Sequence, residues 1–143
     1  MPVTYRIVSQ LDLVWSTWDG VVTLEDGLQH NDFLRADPDF HPAMRQLSDA
    51  RGAESAVKGP DIRGLARRSA FGPESRRAIL VSDDAIFGVS RMYEARAQTA
   101  GEVQVFRELS EALDWLEIDE PTRQRYGLAD DNDPTEPTPT AEG

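Results

Sequence analysis

Apolar and polar side chains alternate along residues 3–8, Val-Thr-Tyr-Arg-Ile-Val, with the period of two that a half-buried strand shows. Residues 11–18 continue in the same way, with Leu11, Leu13 and Trp15 at every second place. Only Ser9-Gln10 separates the two runs, which predicts an antiparallel hairpin; Asp19-Gly20 reads as the end of its second strand. Thr23-Leu24-Glu25-Asp26 then fits a capping box, in which hydroxyl and carboxylate satisfy N–H groups that a first helical turn leaves unpaired. The helix it opens is predicted to run to Ala36, because Pro38 disfavours helical geometry at Asp37.

Further along, Met44 to Asp49 reads as a short strand and Gly52 to Gly59 as a loop. Pro60 suits the first turn of a second helix, in which Ile62, Leu65, Ala66 and Ser69 share a face. Ala78-Ile79-Leu80-Val81 is apolar without alternation, as in a strand covered on both faces. Ser82-Asp83-Asp84 follows as a cap, and a helix over 85–98 is predicted to bury Ile86, Val89, Met92 and Tyr93. Gly101 stops that helix, Val103, Val105 and Phe106 form a last strand, and Leu109, Ala112, Leu113 and Leu116 trace an apolar helical stripe. After Glu120-Pro121 the chain turns polar and Pro-rich, too poor in apolar surface to offset its ordering entropy. Tyr126 and Leu128 are too few to anchor it. The expectation is a folded domain over 1–118 and a disordered acidic tail over 119–143. The order ββαβαβαβα argues an α/β domain with a mixed, mostly parallel sheet and one antiparallel strand.

The absence of cysteine excludes disulfides and thiolate metal sites, suits a reducing compartment, and makes a cytoplasmic location the expectation. No apolar run approaches the roughly 20 residues of a membrane helix, and Met1–Arg6 carries no basic start, so neither a transmembrane segment nor an N-terminal signal is expected. The net charge is −11, with more than half of the excess from Glu117 onward. A net-negative domain repels phosphate backbones, so nucleic acid is not an expected partner.

Particular stretches carry a resemblance. They are Asp19-Gly20-Val21-Val22-Thr23-Leu24-Glu25-Asp26, Asp37-Pro38-Asp39-Phe40-His41-Pro42, Ala78-Ile79-Leu80-Val81-Ser82-Asp83-Asp84 and Phe87-Gly88-Val89-Ser90-Arg91-Met92-Tyr93-Glu94. Val105-Phe106-Arg107-Glu108-Leu109 and Glu111-Ala112-Leu113-Asp114-Trp115-Leu116 complete the set. In order and spacing the chain resembles the SpoIIAA-like (STAS-like) family, whose fold is shared by anti-sigma-factor antagonists. The resemblance implies a four- to five-stranded sheet with helices packed against it, in non-catalytic modules that bind proteins, hydrophobic ligands or membrane surfaces. Antagonists switched by phosphorylation carry Asp-Ser-Ser/Thr-Gly at the start of the helix after the third strand. The matching stretch here, Asp49-Ala50-Arg51-Gly52, keeps the acid and the glycine but lacks both hydroxyls, and arginine accepts no phosphate from a Ser/Thr kinase.

Candidate chemistry is sparse. His30, Asp32, Asp37, Asp39 and His41 have ligand-type side chains, but Pro38 and Pro42 mark a helix exit where Asp serves turns, and no metal or other cofactor is expected. Asp83-Asp84 reads as helix capping. Arg63, Arg67, Arg68, Arg76 and Arg77 form the main basic concentration, read first as a solvated helix face. Trp15 and Trp115 read as core, whereas Trp18 lies on the opposite strand face from Trp15. No Gly-rich phosphate loop, nucleophile elbow or zinc-binding helix motif occurs, and an enzyme is not expected. The leading expectation is a regulatory module that binds a protein through the segment Asp49–Arg68, with Asp49, Arg51, Arg63, Arg67 and Arg68 as contacts. The alternative is a carrier or sensor of an apolar molecule or lipid, membrane-peripheral in one version, with Phe40, Ile86, Phe87, Met92 and Tyr93 lining the pocket. A homodimer is left open.

Overall fold

The computed structural model describes residues 3–55, 59–82, 84–97 and 101–128. Strands β1 (Val3–Val8) and β2 (Leu13–Val22) form the expected antiparallel hairpin, with Val8 opposite Leu13 and Val3 opposite Trp18. A single 3₁₀ turn over Ser9–Leu11 joins them, closed by Asp12 at φ 50. Asp19-Gly20 does not end β2. Gly20 adopts φ 71, a conformation glycine takes without a Cβ clash, and the ladder continues as Asp19, Gly20, Val21 and Val22 pair in parallel with Gly52, Ala53, Glu54 and Ser55. Strand β3 (Arg45–Ser55) is correspondingly longer than expected, and Gly52–Ser55 is strand rather than loop. The register shifts between Thr17 and Asp19, because β3 uses three steps where β2 uses two, as a β-bulge does.

Helix α1 (Leu24–Ala36) starts as its sequence requires. Asp26 N–H donates to Thr23 Oγ1 at 3.1 Å, and Thr23 N–H donates to Asp26 Oδ2 at 2.9 Å. It stops before Asp37, which is extended ahead of Pro38. Helix α2 (Gly59–Arg67), β4 (Arg76–Leu80), α3 (Asp84–Ala97), β5 (Glu102–Phe106) and α4 (Leu109–Trp115) follow in the predicted order.

The strands lie in the sheet in sequence order, β1-β2-β3-β4-β5, parallel from β2 onward. Each crossover therefore advances one strand in the same direction. With the usual right-handed connection this places α1, α2 and α3 on one face, and the contacts of α1 with α2 and of α2 with α3 agree. The chain leaving β5 turns to the other face, where α4 packs on β4 and β5.

That second face is a dry core. Leu13, Trp15, Leu47, Ala78 and Leu80 project from the sheet onto Leu109, Ala112, Leu113 and Leu116, the stripe visible in the sequence. The core does not end at residue 118. A short helix α5 (Glu120–Arg125) starts at Asp119, whose carboxylate accepts from Thr122 N–H at 3.0 Å. It delivers Tyr126 and Leu128 into the same cluster, both buried, Leu128 with no exposed surface. Arg123 is buried too, donating to the Ile118 carbonyl at 2.7 Å and to Asp114. The boundary expected at 118/119 thus moves to at least residue 128; the rest of the expected tail, 129–143, lies outside the described residues. Among the described residues no helix is long and apolar enough to cross a membrane.

Candidate ligand cavity

The sheet face beneath α1–α3 carries a different set of residues. Period two brings Ser16 of β2, Gln46 and Ser48 of β3 and Arg77 of β4 to that face, all of them buried. Ser16 is the register partner of Ser48, and Gln46 that of Arg77. Polar and small side chains cannot fill the space under three helices, so the apolar residues there split into three separate clusters. Between them lies a cavity of about 140 Å³. Its floor includes Trp18, Ala50, Ile79 and Val103, and its walls include Ile62 and Leu65 of α2, Tyr93 of α3 and Gly27 of α1. Gly27 matters for closeness: a Cβ there would sit 2.9 Å from Leu65 Cδ1, so the missing side chain lets α2 lean on α1.

The polar groups are mostly paired with one another. Gln46 Nε2 donates to Ser16 Oγ at 3.0 Å, and Ser16 Oγ lies 2.9 Å from His30 Nε2. Trp18 Nε1 donates to Ser48 Oγ at 2.6 Å. Asn31 accepts from Ala70 N–H at 3.1 Å and ties α1 to the end of α2. An edge-on contact with Tyr5 at 5.8 Å and a tilted one with Trp18 at 4.9 Å fix the His30 ring. Burial pushes the His30 imidazole down from 6.5 to about 4, so it is neutral at pH 7. Tyr5, beside His30, donates to Asp37 Oδ2 at 2.8 Å; burial and that carboxylate raise its phenol to about 12.

Arg77 is the exception. Only 4% of it is exposed, and it lines the cavity. Its Nη1 donates to Tyr93 Oη at 2.9 Å and to Ser69 Oγ at 3.1 Å, and its guanidinium lies 5.0 Å from the Phe71 ring and 5.6 Å from the Tyr93 ring. Among the described residues Nε and Nη2 have no hydrogen-bond partner, and both are shielded from solvent. Among the described residues no carboxylate pairs with it, and none lines the cavity.

Arg77 does not belong to the solvated helix face that the sequence suggests. Arg76 and Arg77 lie in β4, so their side chains leave opposite faces of the sheet. Arg76 pairs with Glu102 at 2.8 Å, while Arg77 points inward. The available signal was its place one residue before an inner apolar strand, on the same face as Ile79. Arg63, Arg67 and Arg68 are exposed. Asp49 and Arg51 are not at a helix start but inside β3, where Arg51 Nε and Nη2 hold the buried Asp49 carboxylate at 2.9 and 2.8 Å. Of the residues expected to line a pocket, Tyr93 does so. Phe40 instead packs edge-on against Phe71 at 5.3 Å. Phe87 lies under the Arg107 guanidinium at 4.4 Å, Met92 is exposed, and the side chain of Ile86 lies outside the described residues. His41 pairs with Asp12 at 3.1 Å and Asp37 with Tyr5, far from any shared centre; among the described residues no His, Asp and Glu cluster could hold a metal. Asp84 pairs with Arg107 at 2.7 Å; Asp83 lies outside the described residues. Trp15 is core, and Trp115 is partly buried against Phe106.

No protein-family model matches the chain, and none of the curated proteins does. Among solved structures it is similar to an uncharacterized protein of the DUF3478 family with a SpoIIAA-like fold from Shewanella loihica PV-4. That match has 23% identity and a TM-score of 0.54, over 80% of this chain and 93% of the other. Five strands with one antiparallel pair, three helices on one face and α4 on the other thus make a SpoIIAA-like fold. The fold resemblance read from the sequence holds.

Proposed function

We propose that this chain is a non-catalytic binding module that takes a small, mainly apolar molecule between the sheet and α1–α3, as carrier or sensor. The observation that supports this reading is the cavity itself. At about 140 Å³ it matches the space that admits a benzene-sized molecule, and it combines apolar walls with a few buried polar groups, as small-molecule sites do. Trp18, on its floor, supplies a built-in reporter. Titration of the full chain with hexan-1-ol or benzyl alcohol, followed by Trp fluorescence and amide chemical shifts, should show saturable changes at Trp18, Ile62 and Tyr93. Ala53→Phe, which fills the cavity from the floor, should abolish them. Changes spread evenly over the surface, or unaffected by Ala53→Phe, would contradict the reading.

A second reading, a protein partner docked on α2, has one observation in its favour. The helix that walls the cavity with Ile62 and Leu65 also presents Arg63, Arg67 and Arg68 outward, and none of the three has an ion pair among the described residues. A partner with an acidic surface could read cavity occupancy through that helix. Arg63→Glu/Arg67→Glu should leave hexan-1-ol binding unchanged while releasing such a partner; a partner retained at full affinity by the charge-reversed protein docks elsewhere.

A further inference from the structure

Arginine stays protonated in proteins, and moving its charge out of water is costly unless the charge is paired. In Arg77 that cost is only partly offset. Nη1 has two neutral acceptors, Ser69 and Tyr93, and the Phe71 and Tyr93 rings lie against the guanidinium. Among the described residues the Nε–Nη2 edge has no partner, although it is the edge on which a guanidinium presents two parallel N–H groups to a carboxylate. The same chain shows that edge in use. Arg51 applies its Nε and Nη2 to the two oxygens of Asp49, at 2.9 and 2.8 Å. Arg77 lines the cavity with its equivalent edge covered just behind the wall, among described lining residues that include no acid.

Resting on the small-molecule reading above, we infer that the ligand is a monocarboxylate with an apolar body, its head held by Nε and Nη2 of Arg77 and its body lying along Trp18, Ala53, Ile62 and Leu65. The cavity volume suits a six-carbon chain or a single aromatic ring. Neutral His30 adds no second positive charge at pH 7, so a phosphate dianion would be left half-compensated, whereas one guanidinium balances one carboxylate. Because Nε and Nη2 are shielded from solvent, the carboxylate reaches them only when a neighbouring side chain moves aside.

The test is calorimetric titration of the full chain with hexanoate, hexan-1-ol and hexyl phosphate, in the native protein and in Arg77→Met and Arg77→Lys. Native protein should prefer hexanoate over hexan-1-ol roughly tenfold or more, the range of a charge-assisted bidentate contact. Arg77→Met should remove that preference, so that hexanoate and hexan-1-ol bind this variant with affinities within about twofold of each other. If Arg77→Met fails to unfold cooperatively, Arg77→Lys carries the test: a point charge without the paired N–H edge should lower the preference severalfold. Equal binding of hexanoate and hexan-1-ol by native protein, tighter binding of hexyl phosphate than of hexanoate, or a preference that survives both variants overturns the carboxylate assignment and leaves the small-molecule reading intact. Binding of none of the three probes overturns both.

Discussion

On one face of the sheet Leu13, Trp15, Leu47, Ala78 and Leu80 meet the α4 stripe and the α5 anchor in a single apolar cluster. On the other, Ser16, Gln46, Ser48 and Arg77 occupy the alternate positions of the same strands, and the apolar residues form three islands around a cavity. Among the described residues each face also holds buried nitrogen without a partner, one atom on the first and two on the second, and they are unequal. The Trp15 indole N–H is neutral, whereas Arg77 is a cation. Burial of a neutral donor costs about 1–3 kcal/mol; an unpaired charge costs several times that. The first face is built for stability. The second accepts loose packing and a desolvated cation, the combination expected where a fold trades core for a site.

The largest effect should come from the C-terminal edge of the packed face. Truncation after Glu120 removes Arg123, Tyr126 and Leu128, and Leu128→Ala alone should cost about 2–5 kcal/mol in urea unfolding, as large-to-small changes in full cores do. If truncated protein unfolds at the same urea concentration as the full chain, the packed face ends before α5 and the contrast weakens.

Second comes pH. The His30 value of about 4 lies below its ordinary 6.5, so between these pH values the unfolded chain binds a proton that the folded chain refuses. The stabilisation is complete above pH 6.5 and is lost as pH falls toward 4, by about 3 kcal/mol at 1.36 kcal/mol per unit. His30→Asn should remove that part of the slope when unfolding is compared at pH 7 and 4.5. An unchanged slope would mean that His30 is solvated and the cavity face wetter than described.

Paired truncations compare the faces directly. Leu47→Ala on the packed face should cost about 2–5 kcal/mol, and Leu65→Ala about 1 kcal/mol, since Leu65 is half-buried and already borders open volume. Equal losses would erase the distinction. Smallest is Trp18→Phe, which removes one hydrogen bond to Ser48 and should cost about 1 kcal/mol.

The packed face was legible up to its last element. Its 109–116 stripe is a local signal, as are the Thr23 capping box and the stop before Pro38 of α1 on the other face, and each was legible because local physics determines it. The continuation of β2 through Gly20 was not, because the pairing partner that holds it, Ala53, is remote in sequence. Helix α5 carried a cap and a proline in Asp119-Glu120-Pro121-Thr122, but the polar composition beyond it outweighed two apolar side chains whose partners lie on other elements. The cavity was least legible. Its decisive residue, Arg77, sits in a run of arginines, and a charge is assigned to the surface unless the strand beneath it is known to be covered. Among the residues expected to line a pocket, Tyr93 was found because the period of α3 placed it inward; Phe40 and Phe87 were apolar enough but belong to neighbouring clusters.

The central claim is that the cavity face exists to hold a ligand at Arg77. Its most direct test is the Nε–H resonance of Arg77 in ¹⁵N-resolved spectra during hexanoate titration. A carboxylate on the Nε–Nη2 edge should move that resonance downfield and slow its exchange with water, saturating together with the Trp18 indole signal. Saturation at Trp18 with the Arg77 Nε–H unmoved would contradict the claim.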